Sequence, residues 1–148
     1  MISHIAIEQL LYLYAELIDA GDFEALADLL APAVVKANGQ VLADRDRAAV
    51  LLMYETSTRR YEDGTPCTRH VVTNVIIHPD ETSGTATSRS TFTVYQSLPD
   101  FPLQPIIVGR YHDRFVRDDG AWRFDERDIL PELFGDLSKH LLIQVPKD

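Results

Sequence analysis

The chain has 148 residues, 45% of them hydrophobic, and a formal net charge of −9, which allows one sizeable core but is short for two ordinary domains. The acidic balance disfavours nucleic acid or an anionic membrane surface as partner, and no apolar run reaches membrane-span length or resembles a cleaved leader, so a cytoplasmic location is expected. Cys67, the one cysteine, rules out an internal disulfide.

Leu10, Leu13, Tyr14, Leu17 and Ile18 recur at helical spacing, with Ser3 as N-cap, an Ile2/Ile7 staple and Gly21 as the C-terminal stop. Asp22 can cap a second helix running through Leu30, with Phe23, Leu26, Leu29 and Leu30 as its apolar stripe. Asn38-Gly39, between Val34-Val35 and Val41-Leu42, signals a tight hairpin. Asp44 then predicts the start of a third helix in which Ala48, Leu51, Leu52 and Glu55 share a face.

From Thr68 the chain turns β-rich, with runs near 68–78, 85–96, 106–117 and 121–129. Helices followed by a meander predict an α+β domain over 1–148, in which helices cover an antiparallel sheet. The proline-rich segment Ser97–Pro105 reads as a lid or an intersubunit arm, and Pro131–Leu142 as a short closing helix. Long strands with a half-apolar outer face predict a homo-oligomer, a homodimer or homotrimer.

Three stretches carry a resemblance: Tyr14-Ala-Glu-Leu-Ile-Asp19-Ala-Gly-Asp22-Phe23, Thr68-Arg-His70-Val-Val-Thr-Asn74 and Phe115-Val-Arg-Asp-Asp-Gly120-Ala-Trp122-Arg-Phe124. In register over nearly the whole chain, they resemble the SnoaL-like, nuclear-transport-factor-2-like proteins, and most the branch containing scytalone dehydratase and bile-acid dehydratases. The resemblance implies a cone formed by a strongly curved sheet wrapped against helices, holding a small-molecule substrate or ligand, usually without a cofactor. It also implies an Asp at position 19 supporting a proton-moving His at position 70, with Tyr14 polarising the substrate. Scytalone dehydratase has a second pocket His on the next strand, where this chain reads Ala86-Thr87-Ser88-Arg89-Ser90.

The residues point the same way on their own chemistry. Asp19, in the last turn of a helix, opposes the macrodipole at a cost of about 0.3–1 kcal/mol, which a partner would offset. His70 is the candidate partner, on a strand face shared with Val72, Asn74 and Ile76. A histidine titrating near neutrality, a carboxylate to orient it and a phenol to meet a developing enolate suit proton abstraction beside a carbonyl. The bland alternative makes Tyr14 a core residue of the helical stripe and Asp19 a solvated side chain. Residues five apart on a helix diverge by about 140°, so Tyr14 and Asp19 share a pocket only if the cone mouth wraps the helix end.

Tyr54, Asn74 and Tyr111 are candidate substrate-binding residues, Tyr111 through its alternation with Ile107, Gly109 and Phe115. Arg127 would clamp an anion, provided that its face, opposite Trp122 and Phe124, is the inward one or a bulge re-aims it. No metal site is expected: His70 and His78 share a face on strand parity but lie roughly 26 Å apart. No glycine-rich phosphate loop is present, and no cofactor is expected. The expected activity is that of a cofactor-free lyase or isomerase on a small hydrophobic cyclic or polyketide-like substrate, the alternative being a non-catalytic small-molecule-binding or assembly domain.

Overall fold

Gly21 sets the first corner of the fold. In the computed structural model, which describes residues 2–144, the helix α1 (Ser3–Ala20) ends there in the left-handed conformation at φ 71°. The amides of Gly21 and Asp22 close back on the carbonyls of Ile18 and Leu17, the hydrogen-bond pair that ends many helices at a glycine. A side chain would fail twice, since a Cβ would also sit 2.0 Å from the Gly64 carbonyl oxygen.

The buried stripe of α1 is Ile7, Leu11, Tyr14 and Ile18, so it is turned from the predicted one, and Leu13 is exposed. Each fully buried aliphatic side chain contributes roughly 1.5–3 kcal/mol. Ser3 does not cap: the N-cap is Ile2, with no side-chain bond, and the Ser3 hydroxyl instead accepts the Trp122 indole N–H at 3.2 Å. Asp22 does cap α2 (Phe23–Leu30), accepting the Ala25 amide.

The hairpin β1 (Val34–Ala37) and β2 (Gln40–Asp44) follows, and then α3 (Arg47–Ser57). Asp46 rather than Asp44 caps α3, because Asp44 is still paired with Val34 in the hairpin. Its buried residues are Val50 and Tyr54, and Leu52 points outward.

The meander consists of β3 (Thr68–Asp80), β4 (Thr85–Leu98), β5 (Phe101–Asp118) and β6 (Ala121–Phe134). Together the strands form a curved, unclosed six-stranded sheet in the order β2-β1-β6-β5-β4-β3. All pairings are antiparallel except β1 with β6, which is parallel. The fold is thus the expected α+β cone, helices against the concave side. No described helix is long and apolar enough to cross a membrane.

Two expectations for the connections change. Ser97–Pro105 is no lid: β4 and β5 continue through it, pairing Gln96 with Gln104 and Leu98 with Phe101 around a turn at Pro99-Asp100. The tail is not a helix either. β6 stays paired with the long β5 as far as Phe134, after which the chain turns and bridges Leu141 to Thr58.

Bulges decide which side chains face inward. In β3 the register slips between Thr73 and Ile76, where Asn74 adopts a φ of 53°. Inward residues are even-numbered before the slip and odd-numbered after it, so Asn74 and Ile76 are exposed and Ile77 is buried. His78 therefore lies on the opposite face from His70, against the parity reading. In β6 an extra residue at Asp125 lets both Phe124 and Arg127 point inward, and both are fully buried.

The guanidinium of Arg127 meets the Asp113 carboxylate in two parallel bonds of 2.8 and 2.9 Å. Removing one partner from such a pair leaves an uncompensated buried charge. Asp113→Ala is expected to cost about 3–5 kcal/mol in urea unfolding, and Asp113→Leu combined with Arg127→Met distinctly less. A double variant as unstable as the single one would show that the pair's contribution lies in its shape rather than in its charge.

Candidate active site

Asp19 occupies the last turn of α1, and its carboxylate is taken up by the start of β3. One oxygen accepts the Thr68 hydroxyl at 2.8 Å and His70 Nδ1 at 2.6 Å, and the other accepts the His70 backbone amide at 2.8 Å. A carboxylate only accepts, so Nδ1 carries the hydrogen and Nε2 is left free for other partners. Both side chains are buried, with 6% and 10% of their surfaces exposed for His70 and Asp19.

His70 forms part of the wall of an inner cavity of about 200 Å³. The cavity lies between α1, α3, the concave face of the sheet and the tail. Its apolar lining includes Ile18, Phe92, Val94, Ile107 and Ile129; its polar groups include Tyr14, Tyr54, Tyr111 and His140. A larger groove of about 720 Å³ passes behind Asp19, lined mainly by exposed residues such as Glu16, Asp63 and Tyr95. It contains neither imidazole nor phenol of the inner group.

The phenols form a connected wall. Tyr14 and Tyr54 share a hydroxyl–hydroxyl bond of 2.7 Å, Tyr111 stands edge-on to Tyr14, and Phe92 stacks on Tyr111 at 4.5 Å between centroids. Behind this wall the Arg127 guanidinium lies 3.7 Å from the Tyr111 ring centre and 4.2 Å from that of Tyr14. Burial raises the pKa of all three phenols, and Arg127 pulls each part of the way back. They are neutral donors at physiological pH, and Tyr14 has the cation as the largest influence opposing its burial.

The structure thus brings together His70, Asp19, Tyr14, Tyr54 and Tyr111. The divergence of Tyr14 and Asp19 around α1 is resolved because Asp19 reaches the cavity only through His70, and Tyr14 faces it directly. Asn74 lies outside, exposed by its own bulge. Arg127 is inward but behind the tyrosines, with Asp113 occupying two of its donor groups, so it is no anion clamp at the mouth. Among the described residues, no group of three or more His, Cys, Asp or Glu is placed to hold a metal ion.

Sequence reasoning missed His140. It follows β6 in the segment expected to be a helix, is 5% exposed, and lies with its ring centre 6.3 Å from that of His70. Burial above all, and then His70, lowers its pKa from 6.5 to about 4, with Asp19 pulling weakly upward. The only signal in the chain was a histidine among Leu137, Leu141 and Leu142, which reads equally as a helix face.

Residues 3–128 match the SnoaL-like domain family, and the chain belongs to it. Similar solved structures include a nuclear-transport-factor-2-like protein with a cystatin-like fold from Novosphingobium aromaticivorans, with 20% identity, a TM-score of 0.70 and coverage of 92% of this chain and 85% of that one. A candidate scytalone dehydratase from the same organism has 24% identity and a TM-score of 0.69, covering 91% and 87%. The beta subunit of a candidate aromatic-ring-hydroxylating dioxygenase, also from that organism, has 16% identity and a TM-score of 0.67, covering 88% and 89%. At these identities the likeness is one of fold. No curated protein matches the sequence.

The depressed pKa of His140 gives stability a defined acid limb. The unfolded chain takes up this proton near pH 6.5 and the folded one only near 4, so stability is full above 6.5 and falls as the pH drops toward 4. The loss should approach about 3 kcal/mol, and His140→Gln should remove it from the pH dependence of urea unfolding. An unchanged acid limb in that variant would contradict the assignment.

Proposed function

We propose that this protein is a cofactor-free lyase, of dehydratase type, or an isomerase, moving a proton on a small hydrophobic cyclic substrate. The observation that carries the reading is the Asp19–His70 contact on the wall of a largely apolar cavity. His70 Nε2 takes the proton beside the substrate carbonyl, and Asp19 holds the ring in that tautomer and stabilises the imidazolium that forms. The Tyr14–Tyr54 pair donates to the oxygen on which charge develops; in a cavity this apolar such a bond is stronger than in water. Side chains alone supply these steps, and the likeness to a candidate scytalone dehydratase supports a reaction of this class.

A rival reading, a non-catalytic ligand-binding or assembly domain, draws on the likeness to a dioxygenase beta subunit. Self-association belongs to either reading. The outer face of β3 and β4 exposes Val71, Ile76 and Tyr95, and covering it in a homodimer or homotrimer is the proposed arrangement.

Asp19→Asn separates the two readings. It keeps the size of the side chain and removes the charge that selects the His70 tautomer. Turnover, sought on cyclic β-hydroxy ketones and β,γ-unsaturated ketones, should fall roughly 100-fold or more, and the ring ¹⁵N resonances of His70 should lose the pattern of a hydrogen held on Nδ1. A variant that keeps both the rate and the tautomer would remove the dyad, and with it the enzymatic reading.

A further inference from the structure

Among the polar residues that line the cavity is His140. Its Nδ1 is buried without a hydrogen-bond partner, and among the described residues no hydrogen bond reaches its ring at all. An unsatisfied buried polar group costs about 1–3 kcal/mol, and such groups in native structures have a reason for being there.

The backbone on either side of it is firmly held. The His140 carbonyl accepts the Arg59 amide at 2.8 Å, and the Leu142 amide donates to the Ser57 carbonyl at 2.9 Å. The Lys139 carbonyl accepts both the Gln96 side-chain amide, at 3.1 Å, and the Tyr61 hydroxyl. Gln96 is itself buried and holds the Pro66 carbonyl with the same nitrogen. The tail is therefore fastened across α3, the connection after it and β4, and among its described residues the one inward polar side chain is the imidazole of His140.

We propose that His140 is a ligand-binding residue, and that the cavity takes a one-ring molecule bearing an oxygen function that hydrogen-bonds to His140 beside His70. The inference rests on the cavity being a ligand site and not on His70 being a base. Two imidazoles that share one oxygen at ordinary hydrogen-bond lengths have ring centres at most roughly 8 Å apart, and the observed 6.3 Å is inside that span. The volume of about 200 Å³ suits one ring, as an engineered apolar cavity of roughly 150 Å³ holds benzene. With its pKa near 4, the imidazole meets the ligand uncharged, offering one donor and one acceptor without the larger desolvation cost of a cation. His70 already has Asp19 on Nδ1, whereas the His140 ring keeps its hydrogen-bonding capacity for a ligand.

The test uses p-cresol and p-xylene, two rings of nearly equal size that differ by one hydroxyl. In the wild-type protein, p-cresol should shift the ring ¹⁵N resonances of His140 and p-xylene should leave them in place. His140→Leu should reduce the preference for p-cresol over p-xylene about five- to tenfold, with p-xylene still bound as evidence that the cavity is intact; His140→Gln should keep part of the preference. A p-cresol complex that leaves the His140 ring unmoved, an equal preference in wild type and His140→Leu, or no binding of either probe would each overturn the proposal. If it fails while Asp19→Asn still loses turnover and tautomer, only the His140 contact is lost; if Asp19→Asn has no effect while the oxygen preference tracks position 140, only the dyad is lost.

Discussion

The carboxylate of Asp19 is the junction on which the site depends. A charged group at the wrong end of a helix dipole, with only a tenth of its surface left to water, persists only if its lone pairs are satisfied. Here three donors arrive from two residues of β3. The backbone amide of His70 and the hydroxyl of Thr68 fix where the strand starts against α1, and the imidazole is fixed as a consequence. Gly21 continues the same junction one step further, since the corner after α1 leaves room for nothing larger against the Gly64 carbonyl. The chain between α3 and β3 is thereby held beside the end of α1, and His70 is placed with it.

The opposite wall relies on a different arrangement. Arg127 and Asp113 form an ion pair with no exposed surface on either side, an arrangement whose desolvation can exceed its attraction. What it does for the cavity is electrostatic. The guanidinium lies against the faces of Tyr14 and Tyr111, where the ring quadrupole attracts it, and its charge makes the Tyr14 hydroxyl a stronger donor than burial alone would leave it. A cation kept behind the phenols can tune them without competing for an apolar ligand; the same cation at the mouth would have called for an anionic one.

How much was legible follows from which signals are local. Asp22 and Gly21 act within one helix turn, and their roles could be read directly from the chain. The order of helices and strands followed from period and punctuation, and the Asp19–His70 contact from a family resemblance plus one electrostatic oddity. Strand parity held as far as the first bulge. It placed Tyr111 correctly on β5, and it failed at Asn74 and His78 because one extra residue in β3 exchanges the faces beyond it. At Arg127 a bulge was needed and was found, but direction is not destination: nothing local announced that Asp113, fourteen residues away, would take the guanidinium. The tail was misread for a related reason. Leu133, Leu137 and Leu141 have a helical rhythm, yet β6 is kept extended to Phe134 by its pairing with β5, an influence that periodicity does not register.

The two cavity histidines show how one side-chain type yields two chemistries. His70 has a carboxylate on Nδ1, which fixes the tautomer and leaves Nε2 as the atom free to meet a ligand. Among the described residues no carboxylate bonds to His140, which is buried with His70 as its neighbour, so protonating it would place a positive charge in an apolar space. The order of events in the proposed reaction follows from this asymmetry. A proton taken by His70 raises the cost of protonating His140 still further, so the second ring is most firmly neutral at the moment when a substrate oxygen acquires charge. A neutral ring can turn its N–H to that oxygen without competing for the proton that has just moved. In the proposed reaction, base and binding group are thus kept apart by charge, although the two rings are near enough to serve the same atom.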